Sequence, residues 1–185
     1  MVGNRMRRRF IVVANTAADF ERSAALIARC VSASLMLSHS LRSDTDLVLA
    51  SMDGVAVYFM TQRLRNVRPD ESSLMGILRK AFRALGSFRQ TVHSGVVVAR
   101  RDFRYFMQGF QTKYLCSTRG KLLNEVPPKG SVAFVIPFSP EVNVPSENLV
   151  PLRCPLDRIW PDHLIAVLNI ELDRWCARAG HRGTR

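Results

Sequence analysis

The amino-acid sequence predicts an α/β domain organised around a mostly parallel β-sheet. Short apolar segments alternate along the chain with amphipathic helical patterns, the order expected when helices cover a sheet of parallel strands. Residues 132–138, VAFVIPF, are continuously apolar, which is typical of a strand buried on both faces. One antiparallel pair is also expected, since Met52-Asp53-Gly54 separates two strand candidates and favours a hairpin.

Length and composition predict a single folded unit. The chain has 185 residues, and we assign residues 1–178 to the domain and 179–185 to a flexible basic tail. Hydrophobic residues make up 47% of the sequence, but they form no run of about 18 residues that could span a bilayer. The basic amino-terminal segment leads into a strand, and its apolar part is too short for a secretory signal. These features predict a cytoplasmic protein without a membrane segment.

The first half of the chain alternates between strand and helix patterns. Residues 10–15, FIVVAN, predict the first buried strand because β-branched side chains dominate them. A helical pattern follows Asp19 and ends within the polar segment 39–44. The next strand candidates are residues 46–51 and 55–60, on either side of the hairpin turn.

The second half continues the alternation. Pro69-Asp70-Glu71-Ser72 is a helix-start signal, and apolar residues recur after it at helical spacing as far as Gly86. Residues 95–99 predict a strand and residues 102–110 a further helix. The last two strand candidates are residues 113–117 and 132–138, separated by a loop that contains Pro127-Pro128.

The carboxyl-terminal helix has the clearest periodicity. Its stripe of apolar side chains, spaced by three and four, comprises Leu164, Val167, Leu168, Leu172 and Trp175. Pro161 and Asp162 suit its first turn. A backbone N–H there has no partner within the helix, so proline loses nothing by lacking one, and a carboxylate is favoured at the positive end of the helix dipole. The simplest interpretation is a helix that closes a core. The alternative is that this loop and helix end, with His163, bind an anion or a cofactor.

The charge favours a polyanionic partner. Lysine and arginine number 27 against 15 acidic residues, for a formal net charge of +12. Such an excess attracts nucleic acid, and arginine, which supplies most of it, also contacts phosphates in pairs of hydrogen bonds and stacks on bases. A basic composition without a specific partner is the alternative. Nucleic acid is the leading prediction from the charge, and the predominance of arginine suits structured RNA.

Catalytic and ligand-binding motifs are few. The four cysteines are far apart and have no histidines at ligand spacing, so we expect no metal site and predict reduced, buried thiols. There is no P-loop, no Rossmann glycine motif and no GxSxG elbow. What remains is loops that follow the later strands, at the sheet edge where α/β proteins bind ligands. These loops are residues 117–121, 137–144 and 149–163.

A series of short landmarks adds information that spacing cannot give. In order they are Arg8–Asn15 with Thr16, Arg29-Cys30-Val31-Ser32, Leu37-Ser38-His39, Arg42-Ser43-Asp44, Val67-Arg68-Pro69-Asp70-Glu71, Gly95-Val96-Val97-Val98 with Arg100 and Phe103, Tyr114-Leu115, Pro155-Leu156 with His163, and Leu172-Asp173-Arg174. Their order over most of the chain resembles the archaeal-type tRNA pseudouridine-54 N1-methyltransferases, which belong to the SPOUT class of RNA methyltransferases. The resemblance implies a SPOUT-like sheet with a carboxyl-terminal trefoil knot, a homodimer, tRNA as substrate and S-adenosylmethionine held by the knot loops.

The resemblance also implies the site residues. Those expected at the cofactor are Leu115, Ile136, Pro137, Phe138, Pro155, Leu156 and Leu164. Asp70 is the candidate base or orienting group, with a helix cap as its alternative role. The candidates for phosphate contacts with RNA are Arg8, Arg42, Arg100 and Arg101.

The sequence departs from the resembled pattern in three places. Leu164 stands where the family commonly has cysteine, the loop 158–161 is longer by about a residue, and the third departure is a turn. After the strand ending at Ile136 the family has a Gly-Asp-His-x-Gly turn, whereas this chain has Pro137-Phe138-Ser139-Pro140-Glu141. Proline removes a backbone donor, and the conformational freedom of both glycines is lost. A catalytically degenerate RNA-binding member of the same fold is therefore the alternative to an active methyltransferase, and an unrelated binding module is a third possibility. Trp160 is expected to pack against its own protein, with stacking on adenine or an RNA base as its alternative.

Overall fold

The computed structural model describes residues 6–38, 40–68 and 70–182. The strands are β1 (Arg8–Ala14), β2 (Thr45–Ser51), β3 (Val55–Phe59), β4 (Arg89–His93), β5 (Val96–Arg100), β6 (Thr112–Ser117), β7 (Val132–Pro137) and β8 (Val150–Arg153). The α-helices are α1 (Ala17–Arg22), α2 (Ala24–Leu35), α3 (Glu71–Arg83) and α4 (Pro161–Arg182). Two 3-10 helices occupy Thr61–Arg63 and Phe103–Met107. His39 and Pro69, which belong to the landmarks, lie outside the described residues.

The strands form one sheet in the order β4-β5-β3-β2-β1-β7-β6-β8. Neighbouring strands in the series β2-β1-β7-β6-β8 pair in parallel. β3 pairs antiparallel with β2 and with β5, and β5 pairs antiparallel with β4. The carboxyl ends of β1, β2, β5, β6, β7 and β8 therefore share one edge of the sheet, here called the carboxyl edge, and the opposite side is the amino edge. The α/β prediction with a mostly parallel sheet is confirmed, and so is the hairpin between β2 and β3.

The two faces of the sheet are covered differently. Helices α2, α3 and α4 pack on one face and bury the larger core, in which Phe10 stacks on Phe134 and Phe134 on Tyr114. The opposite face, here called the open face, is covered in its middle by the 3-10 helix Phe103–Met107 and beside it by residues 142–149. This cover is narrower, and among residues 6–38, 40–68 and 70–182 no helix covers the part of the open face near β4 and β5.

Two strands were not predicted, and each lies at an edge of the sheet. β4, RQTVH, is largely exposed and polar, and β8, VPLR, contains a proline and pairs only with β6 among the strands. Edge strands tolerate polar side chains and proline because one side of the backbone needs no partner. Neither segment therefore carries the apolar pattern by which a buried strand is recognised.

Three helical boundaries also differ from the expectation. The first helical segment is broken at Ser23 into α1 and α2, and residues 102–110 form only the short 3-10 helix. Helix α4 continues to Arg182, four residues into the segment predicted as a flexible tail. The apolar stripe of α4 is split in the fold: Leu164, Leu168 and Leu172 are buried, whereas Val167 is half exposed.

All four cysteines are free thiols, as the sequence predicted. Cys30, Cys116 and Cys154 are buried, and Cys176 is partly buried. Cys116 of β6 and Cys154 after β8 are hydrogen-bonded to each other, and this bond together with burial raises the pKa of the Cys116 thiol.

Candidate functional site

A pocket of about 340 Å³ lies at the carboxyl edge of β7 and β8. Its walls are the loop after β7 and the loop that leads from β8 into α4. The lining residues are Pro137, Phe138, Ser139, Pro140, Leu156, Asp157, Arg158, Ile159, Trp160 and Pro161. The pocket thus occupies the place where two of the loops selected from the sequence, 137–144 and 149–163, meet in space.

The turn after β7 forms without glycine and without strained backbone. β7 ends at Pro137, and the following amide, of Phe138, donates a hydrogen bond back to β1. The Val142 amide donates to the Ser139 carbonyl at 3.1 Å and closes a turn with Pro140 in its second position, which proline favours. No residue of this turn has a positive φ. The resembled family has two glycines in this turn. Their replacement here therefore places no side chain in a left-handed backbone conformation.

The loop after β6 lies directly against β8. Gly120 has φ +127°, and a Cβ placed on it would lie 2.5 Å from the Pro151 carbonyl oxygen. The Lys121 amide donates to that oxygen at 3.3 Å, and the Arg153 amide donates to the Lys121 carbonyl at 2.8 Å. Only glycine fits this contact, so the loop is held to the strand that leads into the pocket.

The walls of the pocket are supported by packing from behind. The Phe138 ring meets the ring of Phe20 in α1 edge to face, with 5.6 Å between the ring centroids. Asp162 in the first turn of α4 is buried and accepts a hydrogen bond from Arg29 of α2 at 2.8 Å. Trp160, in contrast, is 61% exposed at the rim of the pocket, contrary to the expectation that it packs against its own protein. Its indole is available to a ligand.

The predicted cofactor residues fall into two groups. Pro137, Phe138 and Leu156 line the pocket. Ile136 and Leu164 are buried in the helix-covered core, Leu115 is buried on the open face, and Pro155 is exposed beside the lining loop. The sequence indicated both loops correctly, but it did not select the lining residues Ser139, Asp157, Arg158 and Ile159 individually.

Arg8 does not belong to a surface that could contact RNA, contrary to the prediction. Its side chain is 2% exposed, and its guanidinium donates to Asp173 at 2.9 Å, Asp44 at 3.2 Å and the Asn169 side chain at 3.0 Å. Arg42 also pairs with Asp173, at 2.9 and 3.1 Å to its two carboxylate oxygens. Both arginines serve to fasten α4 to the start of β1 and to the segment before β2.

Arg100 and Arg101 are exposed where the sequence placed them, at the carboxyl end of β5. The Arg101 guanidinium lies 5.4 Å from the centroid of the Tyr105 ring and 5.8 Å from that of Phe88. Within the described residues neither arginine forms an ion pair with a carboxylate. They are therefore available to phosphates or bases.

Asp70 caps helix α3, its alternative role in the sequence analysis. Its carboxylate accepts a hydrogen bond from the Ser73 amide at 2.7 Å, and its side chain is exposed. The segment before α3 lies at the amino edge, since the Met60 amide bonds to the Gly95 carbonyl at the start of β5. Within one chain, Asp70 and the pocket are therefore at opposite edges of the sheet.

Residues 7–136 match the model of the protein family described as "Putative SAM-dependent RNA methyltransferase". The match covers more than half of the chain and extends from before β1 to the penultimate residue of β7. The chain belongs to this family. The predictions of an S-adenosylmethionine-dependent RNA methyltransferase and of its cofactor are confirmed.

The methyltransferase is similar to archaeal proteins over most of its length. A tRNA (pseudouridine(54)-N(1))-methyltransferase of Methanocella arvoryzae is 29% identical over 163 residues, covering 80% of this chain and 84% of the relative. Its counterpart from Halobacterium salinarum is 25% identical over 159 residues, covering 80% and 81%. The structure of Archaeoglobus fulgidus Nep1 bound to S-adenosylhomocysteine aligns with a TM-score of 0.63 and 11% identity, covering 91% of this chain and 98% of Nep1. This last likeness establishes the fold.

The pocket fits the cofactor of the methyltransferase family. Its volume lies within the range of roughly 300–1,000 Å³ that is common for small-molecule sites. Phe138, Leu156, Ile159 and Trp160 offer apolar and aromatic surface to an adenine, while Ser139, Asp157 and Arg158 offer polar groups at the same pocket. These are the residues that would hold the cofactor.

Two other observations concern the described part of the methyltransferase. No helix there is long and apolar enough to cross a bilayer. No group of three or more histidine, cysteine, aspartate or glutamate side chains lies together there as metal ligands would.

Proposed function

We propose that this methyltransferase modifies N1 of a pseudouridine in tRNA, at position 54 as in the names of its archaeal relatives. The observation that carries the proposal is the pocket at the carboxyl edge of β7 and β8, which combines aromatic walls with polar groups in a chain related to those enzymes. A degenerate, purely RNA-binding protein would not need to keep such a pocket. The unstrained turn after β7 supports a working site further.

The chemistry requires positioning and removal of one proton. Pseudouridine is joined to ribose through carbon, so its N1 carries a proton, whereas N1 of uridine is blocked by the glycosidic bond. The N1–methyl bond forms, the sulfur–methyl bond breaks, and the N1 proton passes to a base. The bound cofactor supplies the electrophilic methyl group. The contribution of the chain is to hold N1 in line with that group and to receive the proton.

Asp70 is our proposed base or orienting group. Its carboxylate is exposed and is held in place by the Ser73 amide. Because Asp70 and the pocket lie at opposite edges of one chain, this role requires a homodimer that brings Asp70 of one protomer to the pocket of its partner. The two proposals therefore stand together.

A homodimer is also favoured by the outer surface of α4. Val167 and Ile170, three residues apart on this helix, are 50% and 49% exposed. The same segment is where we place the trefoil knot implied by the resemblance. Lys121, in the loop after β6, pairs with β8, and the chain continues from β8 through the pocket loop into α4. This contact supports a chain path of that kind.

The first test is calorimetric titration of the purified protein with S-adenosylmethionine and S-adenosylhomocysteine. We expect saturable binding of each at one site per chain. An absence of binding by protein shown to be folded would instead favour the degenerate alternative.

The second test is methyl transfer to tRNA. A transcript that carries pseudouridine at position 54 should gain one methyl group by mass spectrometry, and a transcript with uridine there should gain none. Equal methylation of both transcripts would contradict the N1 assignment, because uridine offers no free N1.

A further inference from the structure

Part of the open face near β4 and β5 is an uncovered surface with aromatic and basic side chains. In the antiparallel pair of these strands, Arg89 lies opposite Ala99 and Thr91 opposite Val97, so all four side chains point to one face. Tyr58 of β3 is paired with Val97 and points the same way. Of the 3-10 helix that covers the middle of the open face, only Tyr105 and Phe106 line this region. A cleft of about 240 Å³ remains between them and the strands.

The rim of this cleft consists of exposed aromatic rings around an arginine. Phe88 is 71% exposed and Tyr105 is 52% exposed. Arg101 lies between them, within 5.8 Å of both ring centroids. Exposed aromatic rings beside an arginine guanidinium form the kind of surface on which unpaired bases stack.

The inner wall of the cleft is rigid. Arg9 of β1 is buried and donates to the Phe106 carbonyl at 2.8 Å and to Asp46 at 2.9 Å. The Tyr58 hydroxyl donates to the same Asp46 carboxylate at 2.8 Å, and burial together with the Asp46 charge raises the pKa of Tyr58 to about 12. The bond to Phe106 holds the 3-10 helix against the sheet, and the bonds to Asp46 hold Arg9 and Tyr58 in place. A ligand therefore meets a preformed wall, which lowers the entropy lost on binding.

A second, basic cleft continues the first toward the amino edge. It measures about 460 Å³ and shares Met60, Arg89 and Val97 with the aromatic cleft. It is further lined by Gln62, Arg63, Arg65, Thr91, Ser94 and Gly95. No acidic residue lines either cleft, and within the described residues Arg63, Arg65, Arg89 and Arg101 form no ion pair. The positive charge here is therefore uncompensated by the protein.

We propose that the two clefts together bind a single-stranded segment of the RNA substrate. Phe88, Tyr105 and Arg101 stack an unpaired base, and Arg63, Arg65 and Arg89 contact the phosphates that follow it. This inference rests on the proposed function in so far as RNA is the substrate. The surface is distinct from the cofactor pocket: β5 and β7 are four interstrand spacings apart, or about 19 Å. Within one chain, the clefts therefore bind RNA at a place separate from the cofactor pocket.

The test is fluorescence anisotropy with a labelled single-stranded RNA, namely a 12-nucleotide oligouridine, and with a duplex RNA of equal length as a second probe. We expect F88A and Y105A each to weaken single-strand binding about 5- to 100-fold, as loss of a stacked base does. R101K keeps the charge but loses the planar guanidinium, and should weaken binding as well. Two matched controls on α4, R178A and W175A, remove a charge or a ring that lines neither cleft and should leave binding within about twofold of wild type.

Salt dependence separates the two clefts. Each phosphate contact removed, as in R63A or R65A, should lower the slope of log affinity against log salt by about 0.7 for a single strand. F88A and Y105A should weaken binding without changing that slope. Aromatic variants that bind the oligouridine as tightly as wild type would overturn the inference.

Further measurements keep this inference separate from the proposed function. F88A and Y105A should retain wild-type affinity for S-adenosylhomocysteine, since the pocket lies elsewhere. If wild type methylates tRNA but these variants bind and methylate it equally well, the function stands and the cleft proposal falls. If wild type methylates no tRNA but binds oligouridine, and F88A loses that binding, the cleft proposal stands without the proposed function. A change in oligomeric mass by light scattering, with RNA binding unchanged, would identify the face as a contact between copies and overturn it.

Discussion

Gly120 illustrates how a single residue fixes a loop beside the cofactor pocket. Its φ of +127° is one that side chains rarely adopt, and the Pro151 carbonyl leaves no space for a Cβ. The contact is to backbone, which cannot turn aside as a flexible side chain can. The path of the loop after β6 thus depends on the absence of a side chain at one position.

Gly120→Ala should lower the free energy of unfolding by about 1–3 kcal/mol, because strain and a clash with β8 are both introduced. Gly76→Ala in α3 is the matched control: apart from its chain neighbours and the backbone of its own helix, no described atom lies within 4 Å of its Cβ position, so it should stabilise the protein by up to about 1 kcal/mol. Chemical denaturation of the two variants checks both signs. Equal stability of G120A and wild type would show that the loop can move away from β8.

The two roles of Asp70 can be separated by substitution. Asp70→Ala removes the helix cap and should cost about 1 kcal/mol of stability, whereas Asp70→Asn keeps an acceptor for the Ser73 amide and should cost little. If Asp70 is the base, both variants lose methyl transfer while cofactor affinity is retained. If it is only a cap, D70N methylates tRNA at the wild-type rate. Thermal melts and single-turnover assays on the same preparations make the comparison.

Trp160 offers a test of the pocket that does not disturb the fold. It is largely exposed, so Trp160→Ala should leave the melting temperature unchanged. Loss of an aromatic surface beside adenine should weaken binding of S-adenosylhomocysteine by about 1–3 kcal/mol if the ring stacks on the base. Phe138→Ala should weaken binding as well and should also lower the melting temperature, because Phe138 packs against Phe20. Unaltered affinity in W160A would place the adenine elsewhere.

At the scale of elements, helix α4 is held to the sheet by charge as well as by apolar packing. Arg8 of β1 and Arg42 converge on Asp173 of α4, and Asp44 completes the group with a second negative charge. Removing Arg8 would leave Asp44 without its partner while Asp173 keeps Arg42, and because Asp173 is 44% exposed we expect a cost below the roughly 3–5 kcal/mol of breaking a fully buried pair. This group therefore fastens the middle of α4 to the amino edge of the sheet, whereas the Arg29–Asp162 pair holds its first turn beside the pocket loop.

The same group predicts a pH dependence of stability. Burial by itself raises the pKa of Asp173, but its hydrogen bonds to Arg42 and Arg8 and their charges outweigh burial and lower it below its usual value. A depressed carboxylate pKa contributes stability above the unfolded-state value of about 3.9, and this contribution is lost as the pH falls through the folded-state pKa. Asp173→Asn should therefore be less stable than wild type at pH 7 and should lose less stability on acidification. Melting temperatures between neutral and acidic pH, with Glu171→Gln on the same helix as the control, measure the difference.

At the scale of the whole molecule, the distribution of uncovered surface indicates assembly and substrate path. The outer side of α4 exposes Val167 and Ile170, and the open face exposes Phe88 and Tyr105 on the other side of the sheet. The first surface is apolar and suits a second copy of the chain, while the second is aromatic and basic and suits RNA. The two surfaces are separate, so a dimer formed through α4 leaves the RNA clefts free.

Val167→Glu should convert a dimer into monomers, because a charge at the centre of an apolar contact loses its hydration. Light scattering gives the mass directly, and Thr91→Glu on the open face is a control that should leave the mass unchanged. If Asp70 acts across the dimer, V167E should also lose methyl transfer while its pocket still binds S-adenosylhomocysteine. Retained activity in a monomeric variant would exclude action across subunits.

The sequence by itself determined the class of fold and of function. Apolar strands such as residues 132–138, the β2–β3 hairpin and the periodic helices follow from local patterns, which survive folding because each element must bury its own apolar side. The ordered landmarks indicate the methyltransferase family, and two of the loops selected from the sequence, 137–144 and 149–163, meet at a pocket. The sequence also shows that the turn at residues 137–141 departs from the resembled family. Its lack of backbone strain follows only from its backbone angles in the structure.

The tertiary structure decided which of several similar residues are free to act. Arg8 and Arg101 cannot be told apart from the sequence. Arg8 is buried because it contacts Asp44 and Asp173, 36 and 165 residues away, whereas Arg101 lies against two exposed rings and forms no ion pair within the described residues. The edge strands β4 and β8 depend likewise on partners elsewhere in the chain. The cost of burying a charge depends on neighbours in space, and these neighbours exist only once distant segments have been brought together.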